Sequence, residues 1–158
     1  FRRVLFRSPA EDDLLVLRWA AALHEIGISI AHAGYHKHSA YILAQADMPG
    51  FSKHEQARLS RVVLAHRGKL AKAELQELPA RSTDWPMIFS LRIAALLCRS
   101  RSDMRFPELK ARAAGAGYQL VLPGDWLEAH PMTRAALEEE SEEWSGMGMT
   151  LDVLAEPA

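Results

Sequence analysis

Three short histidine-bearing segments carry the side chains best suited to chemistry. His36-Lys37-His38-Ser39 opens a helix-like stretch. An ionised phosphate there would meet unpaired backbone N–H groups together with Lys and Ser donors. Two histidines separated by one residue also offer one metal ligand, and a solvated cluster at a helix start is the plain alternative. His66-Arg67-Gly68-Lys69 closes the following apolar stretch. His66 stands one helical turn after Val62 and Val63, so it belongs to the buried face, while Arg67 and Lys69 reach outward. The helix macrodipole alone would account for cations at that end. Arg58 and Arg61, one turn apart, extend the basic edge. His24-Glu25, followed by Ile26-Gly27, sets an imidazole beside a carboxylate at a helix end. A satisfied buried histidine and a solvated end charge are the competing reading.

Other motifs are missing. The sequence has no phosphate-cradling P-loop, no Gly-x-Ser-x-Gly elbow and no His-Glu-x-x-His pair. The acidic run Glu138 to Glu143 has no EF-hand spacing and reads as a solvated helix face. Cys98 lies in an apolar stretch without basic neighbours that would favour a thiolate, and reads as core. As the single cysteine it excludes an internal disulfide and a cysteine-rich zinc module, and it fits a reducing compartment.

The elements that must position these residues come from a chain of 158 residues, 49% hydrophobic and 25% charged. That suits one domain, or a domain with an appendage, and excludes collagen-like, coiled-coil and wholly disordered architectures. The formal net charge of −1 hides an asymmetry: residues 1–72 hold 11 Lys/Arg against 6 Asp/Glu, and residues 73–158 hold 8 against 14. Six of the seven histidines also fall between His24 and His66, so the functional surface is expected in the first half. No apolar run approaches the roughly 18–20 residues needed to span a bilayer. A cytoplasmic location is expected, with peripheral membrane association left open.

Residues 1–10 include FRRVLFRS, which reads as an adapter-like leader outside the fold. Glu11, Asp12 and Asp13 then open a first helix, with Leu14, Leu17, Ala21 and Ile28 near one face and Gly27 at its end. Gly34 precedes a second helix, closed by Asp47-Met48-Pro49-Gly50. Ser52 and Glu55 form a capping box for a third helix, which stops at Gly68. Thr83 or Asp84 caps a fourth, very apolar helix with Pro86 in its first turn. After Phe106 the period changes from helical to alternating. ELKARAA and YQLVL read as antiparallel strands about Gly115-Ala116-Gly117, followed by one helix from about Met132 to Trp144 and a returning strand MTLDVL. The expected fold class is α+β: a mainly helical bundle over residues 11–105, then a small antiparallel sheet with one packed helix over 106–158.

The stretch LRWAAALHEIGISIAHAGYHKHSAYILAQADMPGFSKHEQARLSRVVLAHRGKL closely resembles the C-terminal region of bacterial exopolyphosphatases of the Ppx/GppA family. The resemblance continues through SLRIAALLCRSR and QLVLPGDWL to EEESEEW, and so covers about residues 14–154. It implies an HD-like helical domain followed by a small α+β end. It also implies an N-terminal pair of actin-like domains that carry the phosphate loops, the catalytic Glu and the Mg²⁺ site. None of those glycine-rich loops occurs here, so no catalytic residue and no turnover are expected of this chain by itself. In the full enzyme, terminal orthophosphate is released from inorganic polyphosphate, and homodimers are implied. Guanosine pentaphosphate, a substrate of sister enzymes, is the related alternative.

The resemblance makes inorganic polyphosphate the expected partner, with Lys37, His38, His66, Arg67 and Lys69 as contacts. His24-Glu25-Ile26-Gly27 also resembles the His-Asp-Ile-Gly step of HD phosphohydrolases, whose His and Asp hold metal ions that activate water. A free-standing metal enzyme would use His24, Glu25, His38 and His66. However, Glu25 replaces the Asp, the upstream His would precede residue 11, and Ala95 stands where the late HD helix supplies an Asp. Too few ligands remain, and the HD likeness reads as degenerate, with no metal expected.

Overall fold

The computed structural model describes residues 11–100 and 106–157. The leader and the 105/106 boundary expected from the sequence lie at or beyond the edges of these segments. The described residues form two compact units, divided after Ala95. The α+β class holds, with helices first and a three-stranded sheet second.

In the first unit, α1 (Glu11–Leu23) carries all three acids in its opening turn. Its buried residues are Asp13, Val16 and Ala20, whereas Leu14 is 46% exposed. The expected stripe of Leu14, Leu17 and Ala21 is therefore rotated away from the core. The cause is an ion network. Arg58 donates from Nη2 to Asp13 Oδ1 at 2.6 Å and from Nε to Asp84 Oδ1 at 2.7 Å, while Arg61 pairs with the other Asp84 oxygen. Burying Asp13 satisfies a carboxylate at the junction of three helices, and the leucines turn outward in exchange. Arg58 and Arg61 are thus structural ties rather than an extension of a basic edge.

Helix α1 ends at Leu23, before Gly27, and a 3-10 turn spans Ile26–Ser29. Gly27 sits inside this turn because the turn lies directly on the next helix. A methyl group there would stand 2.3 Å from the Tyr35 carbonyl oxygen and 2.4 Å from the Ser39 nitrogen. α2 (Tyr35–Gln45) and α3 (Lys53–Ala65) follow as expected. The capping box is complete: the Ser52 hydroxyl accepts from the Glu55 N–H at 3.2 Å, and Glu55 Oε2 accepts from the Ser52 N–H at 2.7 Å. Buried Gln56 donates to the carbonyls of Leu43 and Ala46, both at 2.7 Å, so α3 closes the end of α2.

A single turn, α4 (Ala73–Gln76), was not apparent in the sequence, and α5 spans Asp84–Leu97. The helix starts directly after Thr83, and the Ser82 hydroxyl accepts the Asp84 N–H at 3.2 Å. Cys98 lies in the 3-10 turn after α5 and is exposed, which corrects the core reading. The apolar run ends one residue earlier than its composition suggests.

In the second unit, β1 (Lys110–Ala114) and β2 (Gly117–Pro123) pair antiparallel, with Ala111 opposite Leu120. β3 (Leu151–Glu156) lies beside β2 and runs parallel to it, so the sheet is mixed rather than antiparallel. Two helices intervene where one was expected: α6 (Gly124–Ala129) and α7 (Pro131–Ser145). A helix of 15 residues is about 22 Å long, close to the roughly 23 Å of a seven-residue strand. One helical traverse therefore returns the chain to the start of β2, and the next strand must run parallel. The start of β2 requires glycine, because a Cβ at Gly117 would overlap the Thr150 backbone. Within the acidic run, Glu140 is buried and accepts the Trp144 indole N–H at 2.7 Å, so that face is only partly solvated. Trp144 meets Tyr118 edge-on at 5.2 Å. Among the described residues no helix is long and apolar enough to cross a membrane.

Candidate functional site

The beginning of α2 meets the end of α3. The short connection across Met48–Phe51 makes the two helices antiparallel, which brings Tyr35 and His36 beside His66 and Arg67. The His66 ring centroid is 5.6 Å from Tyr35 and 6.3 Å from His36, and His24 closes the back at 5.0 Å. The Arg67 guanidinium carbon sits 5.1 Å from the Tyr35 ring centroid, within cation–π range. Gly68 lies against the far side of His36: a methyl group there would be 3.6 Å from Nε2.

Two further cations, unnoticed in the sequence, finish the end of α3. Lys72 Nζ donates to the carbonyls of Leu64 at 2.7 Å and Arg67 at 2.9 Å, and Arg92 Nη1 donates to Ala65 O at 2.6 Å. They cover the negative end of the helix dipole, a task the sequence assigned by default to Arg67 and Lys69. The available signal was Arg92 itself, a lone charge inside an apolar helix, which is buried only when it has a dedicated partner. With the carbonyls already satisfied, Arg67 and Lys69 are exposed at the surface.

The remaining candidates divide. Lys37 is exposed in the first turn of α2, but its N–H already donates to Gly34 O at 2.8 Å. Side-chain cations, more than the helix N-terminus, thus make up the anion-attracting surface. Ser39 is fully buried; its hydroxyl accepts from the Gly27 N–H at 2.9 Å and donates to His24 O at 2.7 Å. It is not a free phosphate donor. The Cβ of half-buried His38 lies close against Gly27 of the 3-10 turn. His66 is 3% exposed, with Nδ1 at 2.6 Å from Val63 O and Nε2 at 3.5 Å from the Tyr35 hydroxyl. It supports the corner from behind rather than reaching a ligand in solvent.

Burial lowers the His66 imidazole to about 3, with smaller contributions in the same direction from His24, His36 and Arg92. His36 is lowered to about 4, first by burial and then by Lys72, Lys37, Arg67 and Arg92. Both rings are neutral near pH 7, so the fixed positive charge of the corner comes from the Lys and Arg side chains. The metal alternative is not assembled: among the described residues no three His, Cys, Asp or Glu side chains converge as a metal ion requires. His24 and His66 are neighbours, but His24 Nδ1 is bonded to Ala21 O at 2.9 Å. The arrangement can hold an anion by charge.

Comparison with known proteins identifies the family. The family model described as "Ppx/GppA phosphatase, domain III" matches residues 3–141. A relative from Pseudoalteromonas translucida (strain TAC 125) is 38% identical over 145 residues, covering 91% of this chain and 29% of its own length. Two strains of Vibrio cholerae serotype O1 have relatives 32% identical over 139 residues, covering 88% of this chain and 28% of theirs. Each of these relatives bears the name guanosine-5'-triphosphate,3'-diphosphate pyrophosphatase. The chain spans less than a third of their length.

Proposed function

The chain belongs to the Ppx/GppA phosphatase family, as its domain III, and from that premise we propose that it holds the phosphate chain on which such a phosphatase acts. The ligand in this reading is linear inorganic polyphosphate, and the contacts are Lys37, Arg67 and Lys69, with His66 behind them. In the whole protein, terminal orthophosphate would be released by the remainder of the polypeptide with Mg²⁺; this chain binds and orients.

One observation carries the reading. The end of α3, whose carbonyls would repel an anion, is covered by Lys72 and Arg92 and lies against the cationic start of α2. Polyphosphate has about one negative charge per internal phosphate, so several such contacts along one chain would release counterions and give affinity that falls with salt, as for nucleic acids. A second reading, guanosine pentaphosphate, is favoured by the names of the relatives. It shares the pyrophosphate chemistry and adds a purine and a ribose.

Equilibrium binding of tripolyphosphate, long-chain polyphosphate and guanosine 5'-triphosphate 3'-diphosphate to this chain separates the two. The polyphosphate reading expects affinity to rise with inorganic chain length and to gain nothing from the guanosine. Tighter binding of the nucleotide than of an inorganic chain of similar charge transfers the assignment to the second reading. Binding of neither removes both.

A further inference from the structure

His36 lies at this corner neither closed in the core nor free in solvent. It is half-buried on the first turn of α2, between the His66 ring and Gly68. The charges acting on it come from four elements, and all are positive: Lys72 before α4, Lys37 on α2, Arg67 at the end of α3 and Arg92 on α5. The Tyr35 and His66 rings lie beside it, with His24 behind His66. Two of the four cations are fixed in place: Lys72 and Arg92 are held by the carbonyls of α3, while exposed Arg67 lies over Tyr35.

Resting on the anion-binding reading above, we propose that His36 is a further ligand-responsive residue of this site, taking up one proton from solvent when a phosphate chain binds. The chain's negative charge would offset the four cations that, added to burial, keep the imidazole neutral. The ring would then gain a favourable partner in its protonated form. In the free protein the ring titrates near 4, so the proton is taken up on binding at pH values between that point and the raised value in the complex. Affinity must therefore increase as pH falls through this window, by up to about tenfold per pH unit for one proton. The device makes phosphate-chain binding stronger in mildly acidic surroundings, and it does so without a metal ion.

The test is calorimetric titration of the chain with tripolyphosphate at pH 6, in two buffers of different ionisation enthalpy, for wild type and His36→Gln. The ligand's own protonation is common to both proteins and cancels in the comparison. Wild type is expected to take up more protons per ligand than His36→Gln, and the steeper pH dependence of its affinity between pH 7.5 and pH 5.5 should be lost in the variant. Equal proton uptake with both proteins binding overturns the His36 assignment and leaves the site intact. Failure of wild type to bind overturns the site itself. Should His36→Gln not fold, NMR titration of the wild-type imidazoles decides. One ring must move from about 4 toward neutrality on adding tripolyphosphate, and no such movement rejects the proposal.

Discussion

Arg58 holds two carboxylates at once. Its side chain is 11% exposed, and its partners Asp13 and Asp84 are 10% and 3% exposed, so removing the guanidinium strands two acids in a poorly solvated place. Arg58→Ala should therefore cost about 3–5 kcal/mol, the range for one partner lost from a buried pair. Arg61→Ala leaves Asp84 with Arg58 and should cost no more than about 1 kcal/mol. Urea denaturation of both variants checks the ordering, and similar midpoints would contradict the network. His66 sets a pH dependence of stability. Its folded-state value, about 3, lies below the ordinary 6.5, so the unfolded chain takes up its proton first as pH falls. The contribution is whole above about pH 6.5 and declines toward pH 3, at no more than about 1.4 kcal/mol per pH unit for one histidine. His66→Gln should flatten the loss of stability between pH 6.5 and pH 5; an unchanged slope would show that His66 is not the group responsible.

At the scale of elements, the junction between the 3-10 turn and α2 is the tightest joint of the first unit. Gly27→Ala must push its methyl into the Tyr35 and Ser39 backbone, and no flexible side chain is there to yield. The expected cost is about 3 kcal/mol or more, read as a lower denaturation midpoint, and a change below about 0.5 kcal/mol would contradict the packing. Local signals of this kind are legible in sequence. Ser52 with Glu55, Gly34, Gly68 and the change of period near Phe106 each act within a few residues, and the elements they announce are present. Long-range pairings are not legible in the same way. The facing of α1 depends on Arg58, far along the chain, and Leu14 looks like a core residue until Asp13 takes the inward position. The direction of β3 depends on the length of α7 measured against β2, and alternation cannot express that. The site divides likewise. His66 inward and Arg67 outward follow from helical spacing, whereas the roles of Lys72 and Arg92 exist only once α4 and α5 return to the end of α3.

At the scale of the whole molecule, each unit contributes differently. The first brings Lys37, Arg67, Lys72 and Arg92 to one end by running α2 and α3 antiparallel. The second carries the acid-rich α7 and the three-stranded sheet, and none of the candidate binding residues. Residues 9–95 hold 10 Lys/Arg against 9 Asp/Glu, so the surface suited to a polyanion is a local gathering of cations and not a charge excess of the whole unit.

The most direct test of the account is polyphosphate binding at two salt concentrations, for wild type, Lys37→Ala and the double variant Arg67→Ala/Lys69→Ala. These cations are exposed, so their removal should leave the fold intact. Each lost contact should weaken binding by about 0.5–1.5 kcal/mol at low salt and by less at high salt. The slope of log affinity against log salt should become shallower in both variants, because fewer counterions are released. Unchanged affinity and an unchanged slope in both would contradict the claim that the meeting of α2 and α3 is where this chain holds its phosphate ligand.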